Sequence, residues 1–472
     1  MQRRDFIKGS TLGFGALLTG VAGTACTSVK EAEETVSKAV EKGKSRKQLF
    51  NMCGYAAPAI PTVRIGYVGI GSRGSWAVTR MMNVKDVEVT ALCDLNEGAV
   101  KRNQETLQRF NRRPAKEYFG DDYSWKQLCE QDDIDLVYIA TPWKWHTPIA
   151  VYAMECGKHV AVEVPAAGTL EDCWQLVETS ERTKKHCMQL ENCCYDFFEI
   201  LTVNMVQKGL FGEVIHGEGA YIHELLSGMF GEPQWPTWRW DENHKSGNPY
   251  PTHGLGPVCW AMNINRGDKM EYMTSMSTDD FLMEAKAKEL AVQNDYKPMA
   301  AMKYRGNMNT STVRTAKGKT IMIQHDVSTP HPYDRLHVLT GTKGSCRKFP
   351  EPGKIAFGDN FVSEEKMREL EVQYTPEMVK HIADVAKVIG GHGGMDFIMD
   401  WRMIDCLRNG LPLDMDVYDA ATWCSITPLS YWSVANRSNS IDVPDFTCGA
   451  WITNKPVDLT LRGGGNTGVV IP

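Results

Sequence analysis

The segment Val63 to Gly74, VRIGYVGIGSRG, places Gly69, Gly71 and Gly74 at G-x-G-x-x-G spacing behind an apolar run. About twenty residues further on, Asp94 closes a second apolar run, VEVTALCD. That combination predicts a dinucleotide-binding turn. Gly69 permits the tight turn, Gly71 lets backbone approach a pyrophosphate, and Gly74 lets helix and strand pack closely. The following helix, near Ser75 to Val84, aims its N-terminal NH groups at the phosphates. Ser72 and Arg73 sit inside the turn, where Arg73 adds a cation near the pyrophosphate. Asp94 accepts from ribose hydroxyls and repels a 2′-phosphate, which favours NAD over NADP.

Two further stretches carry reactive side chains. TPWKWH, Thr141 to His146, lies at the end of a predicted strand, where open α/β sheets bind ligands. The alternative is that Trp143 and Trp145 only pack. NPYPTHGLGP, Asn248 to Pro257, groups Tyr250 and His253 with glycine and proline at a loop-to-helix junction. His is the usual proton carrier near neutral pH. Beside Tyr250 and an oxidising cofactor domain, His253 is read as chemical rather than structural.

These residues need elements to position them. Strands at VRIGYVGI, VEVTALCD, Leu136 to Ala140 and HVAVEVP alternate with helical stretches, including Gly98 to Phe110, Thr147 to Glu155 and Leu170 to Lys184. That alternation predicts an α/β class with a doubly wound parallel Rossmann sheet. After about Cys194 the pattern changes. GEVIHGEGAYIHE, TSTVRTAKGKTIMIQHDVS and DRLHVLTGTKGSCRKF read as long strands of a largely antiparallel open sheet in an α+β domain. Helices near Glu377 to Ile389 and Met395 to Asn409 pack across that sheet or back on the first domain. The expected division is residues 1–26 as a signal, 27–60 as a charged tether, 61–192 as the NAD-binding domain and 193–472 as the substrate-binding domain.

The chain of 472 residues is long enough for two domains, and its net charge of −6 with scattered Lys and Arg gives no nucleic-acid surface. Its N-terminus, MQRRDFIKGSTLGFGALLTGVAGTAC, pairs Arg3 with Arg4 ahead of a short apolar, glycine-rich stretch. This reads as a twin-arginine export signal to the periplasm, not a membrane span. Cys26 leaves two readings, a lipid anchor as the one membrane contact or a soluble periplasmic product. None of the 14 cysteines forms a C-x-x-C pair, and no Cys/His cluster has zinc spacing, so mostly free thiols and no structural metal are expected. The outer face of the antiparallel sheet offers a surface for a homo-oligomer.

Several separated motifs in one order resemble glycoside hydrolase family 109, NAD-dependent α-N-acetylgalactosaminidases within the Gfo/Idh/MocA superfamily. They are VRIGYVGIGSRG, TPWKWH, Glu163-Val164-Pro165, LEN at Leu190 to Asn192, YPTHG, KTIMIQHDVSTPHPYDR and SIDVPDF. The resemblance implies that Ser72, Arg73, Asp94, Trp143, Lys144, Trp145, His146, Glu163, Val164, Asn192 and Tyr250 contact NAD. It implies that Tyr195, Arg239, Tyr250, Pro251, Thr252, His253 and Tyr333 line the site of a glycan or small substrate ending in an amino sugar. Sugar dehydrogenases of that superfamily carry a lysine where this chain has Val164, and valine cannot move a proton. The implied reaction is therefore hydrolysis through transient oxidation at C3, elimination across C1 and C2, water addition and re-reduction. His253 is the first choice of base, supported by Tyr250, with Tyr195 the alternative and Glu163 orienting a ribose or sugar hydroxyl. A periplasmic NAD-dependent sugar oxidoreductase and a non-catalytic sugar-binding lipoprotein are the other two readings.

Overall fold

The computed structural model describes residues 22–232, 235–236, 240–293 and 301–471. Strands β1 (Val63–Val68), β2 (Val87–Asp94), β3 (Lys116–Phe119), β4 (Leu136–Ile139), β5 (His159–Val162) and β6 (Cys187–Gln189) form a parallel sheet in the order β3-β2-β1-β4-β5-β6. β4 and β5 are buried at every residue, as strands covered on both faces are. Helices α2 (Arg73–Met81), α3 (Glu97–Arg109), α4 (Ser124–Cys129), α5 (His146–Glu155) and α6 (Leu170–Thr183) connect them. The strand order reverses between β1 and β4, which opens a crevice at their C-terminal ends. Gly69 sits there at φ +83°, against Ala140 and Thr141 of the β4 exit.

The second sheet contains β7 (Val214–Ile222), β10 (Met270–Ser277), β11 (Asn309–Thr315), β12 (Thr320–Asp326), β13 (Asp334–Gly341), β14 (Ser345–Arg347), β15 (Lys354–Ala356) and β16 (Ile441–Asp442), with a separate hairpin of β8 (Gly231–Glu232) and β9 (Trp235–Pro236). Its order is β15-β14-β13-β7-β12-β11-β10-β16, and β7 with β12 is its parallel pair. The expected two-part α/β architecture is what the chain adopts.

Helices of the second half are α7 (Phe197–Gln207), α8 (Thr252–Met262), α9 (Met283–Gln293), α10 (Glu364–Tyr374), α11 (Glu377–Ile389), α12 (Met395–Asn409) and α13 (Val417–Ala435). α8 lies directly on β7. A Cβ added to Gly219 or Gly254 would strike the backbone of the opposing element, so the pair of glycines sets the close approach. α12 turns back onto β1 and α2, and α13 packs between α6 and β10. The two sheets therefore share one core, and α12 brings second-domain side chains to the first domain's glycine turn.

The stretch expected as a tether is helical from Ala22 to Ser45 (α1), and its C-terminal half is docked. Val36, Ala39 and Val40 are buried, Trp174 Nε1 donates to the Ala39 carbonyl at 3.0 Å, and Arg46 pairs with buried Glu181. Its apolar residues at helical spacing find a partner face on α6, which composition alone does not reveal. The described cysteines are free.

Candidate active site

The crevice between the halves is built from the ends of β1, β2 and β4, the turn after β6, the end of β7 and the start of α8. The glycine turn behaves as its spacing predicts. An added Cβ at Gly71 would meet nothing within 4 Å, whereas one at Gly74 would fall on the Gly69 carbonyl oxygen. Ser72 caps α2 without a side-chain hydrogen bond. Asp94 Oδ2 accepts from Ile70 N at 2.8 Å, which fixes the carboxylate at the turn. Open space at Gly71 beside a helix N-terminus, with a carboxylate at the end of β2, fits the pyrophosphate and ribose of NAD.

Arg73 does not stand as a free cation there. Its Nε donates to Glu163 at 2.6 Å and its Nη1 to Asp396 on α12 at 2.8 Å. Buried Asp396 also accepts from Asn192 Nδ2 at 2.5 Å and meets His392 Nδ1 at 2.9 Å. Burial would raise its carboxyl, but His392, Arg73 and Arg80 outweigh that and hold it far below the usual range. One turn along α12, Asp400 is pushed up to about 6 by burial, against the pull of Arg80. Arg73, Glu163 and Asn192 are thus brought together, but around an aspartate from the other half of the chain.

The TPWKWH segment divides by side chain. Trp143 stacks on Tyr250, with centroids 5.4 Å apart and planes at 15°. Trp145 instead packs edge-on against Tyr123 and Trp125, and Lys144 is exposed. His146 is buried, with Nδ1 2.8 Å from the Pro165 carbonyl and Nε2 2.7 Å from the Thr141 carbonyl. The ring pins the β4 exit to the loop after β5. Val164 lies in an apolar cluster with Tyr221 and Tyr250.

Titratable side chains gather at the start of α8. Pro251 is the N-cap, Thr252 is buried in the first turn, and His253 projects from the same turn. His253 Nδ1 lies 2.7 Å from Glu191 Oε1. Burial pushes the Glu191 carboxyl up, but the His253 ring and its hydrogen bond, with the Cys193 NH, hold it below the ordinary glutamate value. Glu191 is therefore a carboxylate and can only accept, so Nδ1 carries the ring proton. Nε2 lies 3.4 Å from the Tyr250 hydroxyl, and in the neutral ring that nitrogen holds the lone pair. Tyr221, at the end of β7, packs 4.8 Å from Tyr250 and 5.4 Å edge-on to His253 by ring centroids, and its hydroxyl lies 3.2 Å from His223 Nδ1. Tyr333 closes the rim, half-exposed, 5.1 Å from His223 by centroids. Arg335 donates to its hydroxyl at 3.2 Å, and Asp196 and Glu199 hold Arg335 at 2.8 and 2.7 Å.

Tyr195 is not part of this group. It is buried in the core, its hydroxyl donates to Asp414 at 3.1 Å, and its ring packs edge-on to Trp260. The tight turn Asn192–Tyr195 sends Asn192 toward the crevice and Tyr195 away from it. Burial first, then Asp414, also raises its phenol well above the ordinary value, so it is unsuited as a base. Tyr221 supplies the tyrosine that Tyr195 was expected to supply. Arg239 lies outside the described residues. Glu191, Tyr221, His223 and Asp396 were missed. Alternation in AYIHE puts Tyr221 and His223 on one face of an extended segment, a signal the sequence did contain; nothing local marks Asp396.

Comparison with known proteins gives the same two-part composition. Residues 63–190 match the NAD-binding Rossmann fold of the Gfo/Idh/MocA oxidoreductase family, and residues 195–453 match the C-terminal domain of glycosyl hydrolase 109. The chain is similar to glycosyl hydrolase family 109 protein 1 of Bacteroides thetaiotaomicron, 45% identical over 416 residues covering 84% of this chain and 86% of that one. It is similar to an alpha-N-acetylgalactosaminidase of Bacteroides fragilis, 46% identical over 411 residues covering 85% and 96%. Among solved structures it resembles a scyllo-inositol dehydrogenase from Lactobacillus casei with bound NAD(H) and scyllo-inositol, at a TM-score of 0.57, 13% identity and coverage of 81% of this chain and 99% of that one. It also resembles a levoglucosan dehydrogenase in complex with NADH and levoglucosan, at a TM-score of 0.59, 16% identity and coverage of 81% and 100%. At these identities the likeness to the two dehydrogenases is one of fold.

Proposed function

Since this chain belongs to glycosyl hydrolase family 109 and is a glycoside hydrolase on an NAD-binding oxidoreductase fold, we propose that it releases terminal α-N-acetylgalactosamine by elimination and water addition. The reading rests above all on one observation, the Glu191–His253 pair with Nε2 turned to the crevice. The turn at Gly69 to Gly74 and Asp94 would hold NAD, with Trp143 and Val164 at the sugar end. When bound, NAD supplies reversible oxidation at C3 of the sugar, which acidifies the C2 proton.

The chain's own residues do the rest. His253 Nε2 takes the C2 proton, and Glu191 stabilises the imidazolium and keeps the ring in its orientation. The leaving group departs from C1 as the C1–C2 double bond forms. Water then adds at C1, and the imidazolium returns a proton to C2. Tyr250 and Tyr221 flank the base and offer hydroxyls to the sugar oxygens that change charge. Val164 places no amine at the C3 hydroxyl, so the proton leaving that hydroxyl is assigned to solvent by way of the Tyr250 hydroxyl, and the His253 Nε2 lone pair stays free for the C2 proton. No facing carboxylate pair, as ordinary glycosidases use, is required.

The deciding experiment is cleavage of an aryl α-N-acetylgalactosaminide in heavy water. Deuterium at C2 of the released sugar is expected, and product with none would overturn the elimination scheme. Measuring NAD in the purified protein alongside separates a hydrolytic cycle, which leaves it oxidised, from net oxidation, which accumulates ketosugar or NADH. The proposal extends to export through the Arg3–Arg4 leader, with Cys26 the residue that a lipid anchor would use; both arginines lie outside the described residues. Cell fractionation with and without a twin-lysine leader tests it.

A further inference from the structure

We propose that Glu191, Cys193 and His253 form an inhibitory site for a soft divalent cation such as Zn²⁺. Each offers one donor atom, carboxylate oxygen, thiol sulfur and ring nitrogen, and these atoms all lie within 4.8 Å of one another. Donors of a tetrahedral ion with bonds of about 2.0–2.3 Å stand roughly 3.3–3.8 Å apart, so side-chain shifts of about 1 Å close the set. Thiolate and imidazole select Zn²⁺ or Cd²⁺ over Mg²⁺ or Ca²⁺. His253 is open to the crevice, which provides a route of entry and leaves a coordination position for water.

The charges suit a closed pocket. Glu191 is already ionised, and binding displaces the Cys193 thiol proton to solvent. The cation is then balanced by one carboxylate and one thiolate, so no net charge is left buried. With a metal on Nδ1, the ring proton of His253 shifts to Nε2. The lone pair facing the crevice is lost, and with it the base. This inhibitory consequence rests on the role of His253 proposed above; binding of the metal does not.

The test titrates the full chain with Cd²⁺ alone and follows the ultraviolet thiolate-to-cadmium band together with glycoside cleavage. The expected result is a saturable band at one equivalent per chain, reversed by a chelator, with activity lost in parallel. Cys193→Ser should remove the band and weaken inhibition more than about tenfold, the scale on which even outer-shell partners act. Cys194→Ser should leave both unchanged. No saturable band, or a band that survives Cys193→Ser, overturns the proposal. If the chain cleaves no glycoside, the band still reports the site, so the two readings fail separately. Should Cys193→Ser not fold, protection of His253 in the unmodified chain from diethyl pyrocarbonate decides: unchanged modification under saturating Cd²⁺ overturns the site.

Discussion

Glu191, fully buried after β6, accepts the Nδ1 proton of His253 at the start of α8 across 2.7 Å. The carboxylate comes from the Rossmann half and the imidazole from the other, so the pair exists only where the halves meet. Glu191→Gln removes the charge and allows the opposite tautomer. It should lower kcat by about 10²-fold or more while changing KM and NAD content little. Steady-state kinetics beside NAD measurement checks this; an unchanged kcat would remove Glu191 from the mechanism.

His253→Gln deletes the proposed base. The expected loss in kcat is about 10²- to 10⁴-fold, with C2 exchange into heavy water lost in proportion. Retained exchange would assign the base elsewhere.

The two tyrosines should separate cleanly. Tyr195→Phe loses a core hydrogen bond to Asp414 and should cost about 1 kcal/mol of stability with kcat/KM unchanged. Tyr221→Phe should leave the melting temperature near that of the parent and lower kcat/KM about tenfold. The reverse pattern would restore Tyr195 to the sugar site.

Gly71→Val places a side chain in open space, so the fold should tolerate it while the cofactor cradle does not. Protein of near-parental melting temperature but depleted in NAD is expected. Gly74→Val, by contrast, drives carbon into the Gly69 carbonyl and should impair folding. Equal NAD content in Gly71→Val and parent would place the pyrophosphate elsewhere.

The pH dependence of stability has a worked sign at Glu199. Burial raises its carboxyl, but Arg335 and Lys348 outweigh that and bring it from 4.5 down to about 2. A depressed carboxyl stabilises the fold fully above its unfolded value, and that contribution is lost as pH falls from about 4.5 through about 2. Glu199→Gln should therefore lower stability at neutral pH and flatten the acid limb of a denaturation series. An unaltered acid limb would contradict the pairing that holds Arg335 beneath Tyr333.

The glycine turn and Asp94 were legible because backbone sterics and one carboxylate act within a single βαβ unit. The YPTH segment was legible because its reactive side chains are neighbours in sequence. Trp143 and Trp145 were not separable, since both readings, ligand and packing, suit the same dipeptide spacing. Arg73 was read as a cation for the pyrophosphate because Asp396, 323 residues further along the chain, leaves no trace near it.

By itself the sequence determined the strand and helix alternation of the first half, the dinucleotide turn and the absence of a lysine at Val164, all of which follow from local periodicity, glycine geometry and residue identity. Tertiary structure alone decided which tyrosine lines the crevice, what neutralises Arg73 and what orients His253. Those outcomes depend on the turn after β6, the seat of α8 on β7 and the return of α12 to the first sheet. Each is a contact between segments far apart in the chain, set by burial and charge pairing that no local pattern encodes.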